Sequence, residues 1–458
     1  MTPVLRPSSP LLPAIFAAGL LLVPLAPALA QDVPAVPAPA PTTDPAPERF
    51  AVHGQATLTV QGTPGFSAPY SGANSLAPDQ VKETFDITGY VGVRLWRGGE
   101  LWVNPEIDQG FGLSNTLGVA GYPSGEAYKV GKANPYFKLD RVFLRQTIDL
   151  GGARAPVGAA ANQLAGHQSA NRLVLTLGKF SVVDVFDTNA YAHDPRGDFL
   201  NWALIDTGSF DYAANSWGYT FGGSAEWYTG PWTLRAGLFD LSKAPNQPPL
   251  EIDFSQYQVL GEVEYRHVIA SHPGAVRVGA WFSRGRFTRL MDAITLYNAG
   301  GAIPADLAPL RHYRDKWGIQ FNAEQEVSAA LGLFLRAGYG DGKSEADDFT
   351  DIDRTVAVGG QLKGSGWGRA DDRIGLAGIV NGISKLHRQF FNDGGLGTLV
   401  GDGALPHPGD EFIIESYYDW QVIRHVNVTA DYQFVQNPAY NRDRGPAHLF
   451  ALRFHVAV

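Results

Sequence analysis

The sequence predicts an all-β fold: a transmembrane antiparallel β-barrel of sixteen strands, with one long connection folded inward. Three observations predict it. Segments of about ten residues carry apolar side chains at every second place, the period of a strand with two different faces. Beyond the N-terminal stretch there is no run of about 18 apolar residues, the length a membrane-crossing helix needs. The connections alternate between short turns and long loops, as in barrels whose two ends face different compartments.

The alternation is plain near the C-terminus, where Val426, Val428, Ala430, Tyr432 and Phe434 are interleaved with Asn427, Thr429, Asp431 and Gln433. Phe85, Ile87, Val91, Val93 and Leu95 alternate with Asp86, Thr88, Tyr90 and Arg94 in the same way. Val259, Val263 and Tyr265 oppose Gln256, Gln258, Glu262, Glu264 and Arg266. With a rise of about 3.3 Å per residue and a tilt of about 40°, ten such residues cross about 25 Å of hydrocarbon. A soluble sandwich also alternates, but its strands are shorter and its polar face is the outer one. Aromatic residues gather at strand ends, as in Trp227-Tyr228, Tyr417-Tyr418 and Trp420, and predict interfacial girdles.

Taken in order, residues 1–30 read as a signal peptide. Arg6 is the only charge before the apolar stretch Leu11–Ala28, and Ala28-Leu29-Ala30 supplies small residues for cleavage after Ala30. A retained anchor is the competing reading; Pro13, Pro24 and Pro27 interrupt the stretch, and no basic stop-transfer cluster follows. Residues 31–49 are Pro/Ala-rich and predict an extended, solvated periplasmic linker. Residues 50–458 form the barrel domain.

Strands are expected at 50–60, 84–95, 99–109, 137–150, 171–181, 217–229, 231–242, 254–268, 274–286, 314–328, 331–340, 354–364, 373–382, 411–423, 425–435 and 447–457. Leu200–Tyr212 would add a seventeenth, an odd number for a bacterial single-chain barrel. Taking 182–216 as one connection restores the alternation. Short turns then fall at Arg97-Gly98-Gly99, Thr229-Gly230-Pro231, 270–273, Ala329-Ala330 and Arg424. The long loops are 61–83, 110–136, 182–216, 287–313 and 383–410. The stretch 151–170 is long where a short turn belongs, which keeps an 18-strand barrel open. The last strand carries Phe450, Leu452, Phe454, Val456 and Val458 on one face, resembling the segment read by the barrel-assembly machinery, with Val458 in place of the usual final aromatic.

Composition excludes several classes of function. Cysteine is absent, which removes disulfides, thiol catalysis and Cys-based metal sites. A formal net charge of −9 without a basic block argues against nucleic-acid binding. The histidines lack a His-x-x-x-His pair, and neither a Gly-x-Ser-x-Gly elbow nor a phosphate-cradling glycine loop occurs, so no metal, cofactor or catalytic residue is expected. The expected partners are small solutes, outer-membrane lipid and lipopolysaccharide. Asp341, Asp347, Asp348, Asp351 and Asp353 read as a solvated acidic surface, with a lipopolysaccharide-bridging cation as the alternative; their spacing does not match a calcium loop.

The candidate site lies in 182–216. Asp184, Asp187, His193, Asp194, Arg196 and Asp198 are interleaved there with Phe186, Tyr191, Phe199 and Trp202. So long and apolar a loop is expected to fold into the lumen and narrow it, its charged groups hydrogen-bonding hydroxyls and its rings stacking on a sugar face. The other reading is a packed loop whose charges satisfy backbone groups. Strand parity points Arg94, Glu106, Asp108, Arg141, Arg145, Arg172, Arg235, Glu262 and Glu264 inward, opposite the loop.

The stretches HGQATLTV (53–60), PYSGANSL (69–76), GVRLWRGGELWVNPEIDQGFGLS (92–114), FLRQTIDLGG (143–152), NQLAG (162–166) and VVDVFDTNAYAHDPRGDFLNWAL (182–204) resemble the carbohydrate-selective porin (OprB) family. The likeness is dense over 50–240 and sparser beyond. It implies a monomeric sixteen-stranded barrel that admits glucose and other small sugars by facilitated diffusion, with no cofactor. The competing functions are an 18-stranded exporter or adhesion barrel and an outer-membrane hydrolase. The hydrolase needs a Ser and His pair near the membrane edge that the sequence does not offer.

Overall fold

The computed structural model describes residues 47–127 and 131–458. The expected signal peptide and all but the last three residues of the expected linker lie outside the described residues. In chain order the strands are β1 Phe50–Thr63, β2 Gln80–Trp96, β3 Gly99–Gly110, β4 Lys132–Asp149, β5 Arg154–Val157, β6 Gly166–Ser169, β7 Arg172–Phe180, β8 Thr220–Thr229 and β9 Trp232–Asp240. They continue as β10 Tyr257–Ile269, β11 His272–Phe287, β12 His312–Glu326, β13 Leu331–Gly340, β14 Arg354–Gly364, β15 Arg369–Gly382, β16 Glu411–Ile423, β17 Val426–Gln436 and β18 Ala447–Ala457. Sixteen of them close into one antiparallel barrel, while β5 and β6 form a separate two-stranded sheet.

Closure follows from the solvent. Hydrocarbon offers no partner to a free N–H or C=O, so the first and last strands must find each other. They do so from Gln55 against Ala457 to Gly62 against Phe450. The pleat then sorts side chains by environment. Val91, Val259, Val263, Leu452 and Phe454 lie exposed on the outer, lipid face, while Asp86, Thr88, Glu262, Glu264 and Arg453 point inward and are buried. A Lys or Arg on the outer face at mid-membrane would cost about 2–4 kcal/mol, so the parity is strongly held.

Parity also corrects the aromatic pairs. Adjacent residues cannot share a face, and only Trp227, Tyr418 and Trp420 point outward. Tyr417 is buried inside, and Tyr228 lies under the Arg172 guanidinium at 3.6 Å. The outer band is nevertheless aromatic at both ends: Trp232 packs against Tyr265 at 4.7 Å near the short turns, and Trp317 against Tyr339 at 6.0 Å near the long loops.

The short turns are 97–98, 230–231, 270–271, 327–330, 365–368 and 424–425, all at one end. The exception, 150–171, adds no strand to the barrel. It folds as the β5–β6 hairpin, and its 158–165 connection tucks under the barrel mouth, where Ala165 exchanges hydrogen bonds with Glu48 at 3.1 and 2.8 Å. Glu48 is therefore pinned to this connection. The supposed seventeenth strand is no strand either: α1, Trp202–Ile205, is a buried turn of helix inside the barrel, capped by the Asn201 side chain. These two findings remove the 18-strand alternative.

The acidic loop after β13 is not a solvated surface. Asp347, Asp348, Asp351 and Asp353 are buried and act as struts between loops. Asp351 accepts the N–H groups of Thr398, Leu399 and Val400 at 3.1, 2.6 and 3.2 Å. Asp348 accepts from the Ser242 hydroxyl at 2.7 Å. No cluster of the described residues could hold a metal ion.

Asp353 also faces His387, 3.3 Å away, on the first turn of α3, Lys385–Asn392. Burial disfavours the imidazolium, but the Asp353 carboxylate outweighs it and holds His387 above its ordinary 6.5, while Asp353 is held below its usual range. The pair is fully formed below pH 6.5 and weakens as pH rises through the raised histidine value. Open-channel current noise is therefore expected to grow between pH 6 and pH 9 in the protein and to stay flat in His387→Gln. Equal pH dependence in both would exclude the pair as a loop clamp.

Candidate pore constriction

The connection 181–219 enters the lumen and is fastened on most sides. At its start Ser181 and Asp184 form a capping box around a single 3-10 turn. Arg141 on β4 grips the Asp184 carboxylate with two hydrogen bonds of 2.6 and 2.7 Å, a planar match of guanidinium and carboxylate. Phe186 then inserts into a stack of rings, edge-on to Phe239 at 6.2 Å, with Phe180 behind at 5.4 Å.

Asp187 is the latch. Its backbone takes a left-handed turn, with φ of 57°. Its N–H donates to Glu262 on β10 at 2.9 Å. Its carboxylate accepts from the Thr207 N–H at 2.5 Å, the Thr207 hydroxyl at 3.0 Å and the Asn322 amide on β12 at 2.7 Å. Arg336 on β13 pairs with the same carboxylate at 3.5 Å and donates to the carbonyls of Asp187, Ala192 and Leu204. Asp187 and Arg336 side chains are both 0% exposed, so each charge depends on the other.

The remaining wall contacts follow the barrel round. Tyr191 packs against Gly332 of β13, where a Cβ would come within 1.9 Å of its ring. Asp198 accepts from Gln361 at 2.7 Å and Arg373 at 3.4 Å. Phe199 sits edge-on between Phe334 at 5.6 Å and Tyr417 at 5.0 Å. The buried Glu415 carboxylate on β16 receives the N–H groups of Leu200 and Asn201 at 2.5 and 2.9 Å. Trp202 stacks on Tyr122 with centroids 5.3 Å apart.

Among the described residues, three cavities adjoin one another on the β1–β4 and β7–β9 side. The first, of ≈ 300 Å³, is lined by Tyr90, Glu126, Arg141, Asp184, His193, Asp194, Arg196, Trp202 and Asp206 among others. Arg196 is its centre of charge, 3.3 Å from Asp86, 3.6 Å from Glu106 and 3.4 Å from Glu126. The second, of ≈ 490 Å³, shares Asn162, Asp184 and His193 with the first and adds Arg145, Arg172, Glu226 and Arg235. The third, of ≈ 560 Å³, shares Gln168 and Arg172 with the second and reaches Arg94 and Glu100 at the short-turn mouth.

The predicted residues therefore divide. Asp184, His193, Asp194, Arg196 and Arg141 come together at the first cavity, which Trp202 closes from behind. Phe186 and Asp187 do not face open space at all; they hold the loop to the wall, as Asp198 and Tyr191 largely do. Glu106 and Asp108 are tied to Lys138, at 3.1 and 2.6 Å, in a buried cluster with Asp140. Arg235 is neutralised by Glu226, Glu262 and Glu264 at 3.2, 2.8 and 3.1 Å. Arg94 lies far down the lumen, paired with Glu100 at 3.3 Å. Sequence reading missed Glu126, Asp206, Asn162 and the latch partners Asn322 and Arg336. Parity alone would have found Asp86, Asn322 and Arg336, since each stands on the inward face of its strand.

A closed sixteen-stranded barrel with girdles, short turns at one end and a loop latched across its lumen is an outer-membrane diffusion channel. A family profile described as carbohydrate-selective porin, OprB family, matches residues 73–457, and the chain belongs to that family. It is a channel of the Gram-negative outer membrane and not an enzyme. The high-pH structure of Pseudomonas putida OprB superposes with a TM-score of 0.67 at 15% identity, covering 90% of this chain and 94% of that one. The low-pH structure of the same Pseudomonas putida protein gives 0.49 at 12% identity, covering 90% and 93%. No curated protein matches by sequence.

Proposed function

We propose that the chain, acting as a monomer after cleavage of residues 1–30, passes neutral monosaccharides such as glucose by facilitated diffusion, selecting them at the Arg196 constriction. The observation that carries this reading is the ≈ 300 Å³ cavity, in which one guanidinium, several carboxylates and aromatic rings line a single space. That volume is at the small end of ligand sites. Sugar hydroxyls both donate and accept, so a mixed set of Asp194, Glu126 and Arg196 serves them without a strong net charge. Binding of this kind is weak, which a conducting channel requires.

The test is swelling of liposomes holding the purified protein. Glucose is expected to enter faster than linear neutral polyols of equal size. Rates that follow size alone would overturn the sugar preference, and no swelling in any solute would overturn conduction.

A further inference from the structure

The second cavity differs in charge from the constriction above it. Around the constriction, guanidiniums are matched: Arg141 by Asp184, Arg196 by Asp86, Glu106 and Glu126. In the second cavity Arg235 is likewise matched, and both carboxylates that line it are taken, Glu226 by Arg235 at 3.2 Å and the Tyr228 hydroxyl at 2.7 Å, and Asp184 by Arg141 at 2.6 Å. Arg145 and Arg172 line the same cavity with no carboxylate at ion-pairing distance among the described residues.

Both are held in place by neutral groups. Arg145 donates to the Asn162 carbonyl at 2.7 Å, with its guanidinium 5.1 Å from the Phe143 ring. Arg172 lies 3.6 Å over Tyr228, donates to the Ser169 carbonyl at 3.2 Å, and keeps a buried Nε with no acceptor. Carbonyl and ring contacts orient a guanidinium without supplying it a paired carboxylate. Arg145 stands opposite Thr176 in the β4–β7 ladder and Arg172 opposite Asp149, four residues along. The two cations are thus stations about 13 Å apart along the strand direction. Between them, Thr147, Gln163 and Gln168 offer neutral donors and acceptors. Arg172 also lines the mouth cavity beyond.

We propose that this cavity is a transit site for monosaccharide acids, aldonates or uronates, whose carboxylate passes from Arg145 to Arg172 while the hydroxyls bond the amides and threonines between. The proposal rests on the chain being a sugar channel and extends its substrates to sugar monoanions. A cavity of ≈ 490 Å³ is far larger than a halide needs, and its polyol-matching groups favour a sugar acid over a simple anion. Two stations are what release requires, since a single strong site would trap the anion.

The test uses the full-length channel in planar bilayers and liposomes, with potassium gluconate, potassium chloride and glucose as probes. Gluconate is expected to permeate measurably, and Arg145→Gln/Arg172→Gln to lower the gluconate-to-glucose permeability ratio about fivefold or more. Arg145→Lys/Arg172→Lys, which keeps both charges, should retain most of that ratio and guards against misfolding of the first variant. An unchanged ratio in the glutamine variant, or a channel that passes chloride but not gluconate, would overturn the transit site. If neither glucose nor gluconate crosses, the sugar-channel reading fails instead.

Discussion

Asp187→Ala is expected to raise single-channel conductance at least about twofold and to abolish the proposed preference for glucose over linear polyols. The change removes the acceptor for Thr207, Asn322 and Arg336 at once. It leaves Arg336 fully buried, with only the carbonyls of Asp187, Ala192 and Leu204 as partners. Breaking one side of a buried ion pair costs about 3–5 kcal/mol. That penalty falls on the folded-in state of the loop and not on the strand ladder, because Asp187 belongs to a connection. The barrel should stay closed, with its β-sheet circular dichroism intact, while the loop loosens from the β12–β13 wall. Conductance and selectivity equal to those of the unaltered channel would show that the latch is dispensable, and that the remaining contacts of the loop, such as Arg141 with Asp184 and Glu415 with Leu200 and Asn201, suffice to hold it.

Arg196→Ala acts on charge where Asp187→Ala acts on shape. It removes the guanidinium that Asp86, Glu106 and Glu126 share and leaves Asp194 beside them. Glu106 keeps Lys138 as its partner at 3.1 Å, and the carboxylates that lose theirs, Asp86 and Glu126, draw cations. The potassium-to-chloride permeability ratio is expected to rise several-fold, and glucose block of the ion current to weaken about tenfold. Arg196→Lys should restore the ion selectivity more fully than the glucose block, because an ammonium is a point charge that cannot present a planar fork to several oxygens. A reversal potential unmoved by Arg196→Ala would place the selective charge elsewhere, with the Lys138 cluster next in line.

Much of this molecule was legible in its sequence. Each of the sixteen expected strands coincides with a strand of the barrel, because alternation is a local property: a strand turns successive side chains to opposite faces whatever its neighbours do. Parity placed Arg94, Glu106, Arg145 and Glu262 inside for the same reason. It failed for Tyr417 and Tyr228 only where the pattern was set aside and neighbouring aromatics were assigned to one face. The stretch 151–170 and the apolar run around Trp202 resisted, since neither carries a period. The first is a small hairpin under the mouth, and the second is a buried turn of helix whose apolar residues serve the lumen plug and not a membrane face.

The candidate site was legible only as a region. Composition marked 182–216 as too long and apolar a loop to stay in water, which pointed to the lumen. Whether a given side chain in it meets solute or wall depends on partners that lie far along the chain, such as Asn322, Arg336 and Glu415, and barrel closure alone brings them within reach. Asp187 is held against the wall and Arg196 lines open space, though as bare residues in one loop they look alike. The sequence by itself determined the barrel, the faces of its strands and the inward fold of one connection, because hydrocarbon penalises every exception to parity and pairing. The tertiary structure alone decided which charges are cancelled and which stay open to solute, because ion pairing depends on distances across the lumen that no local pattern encodes.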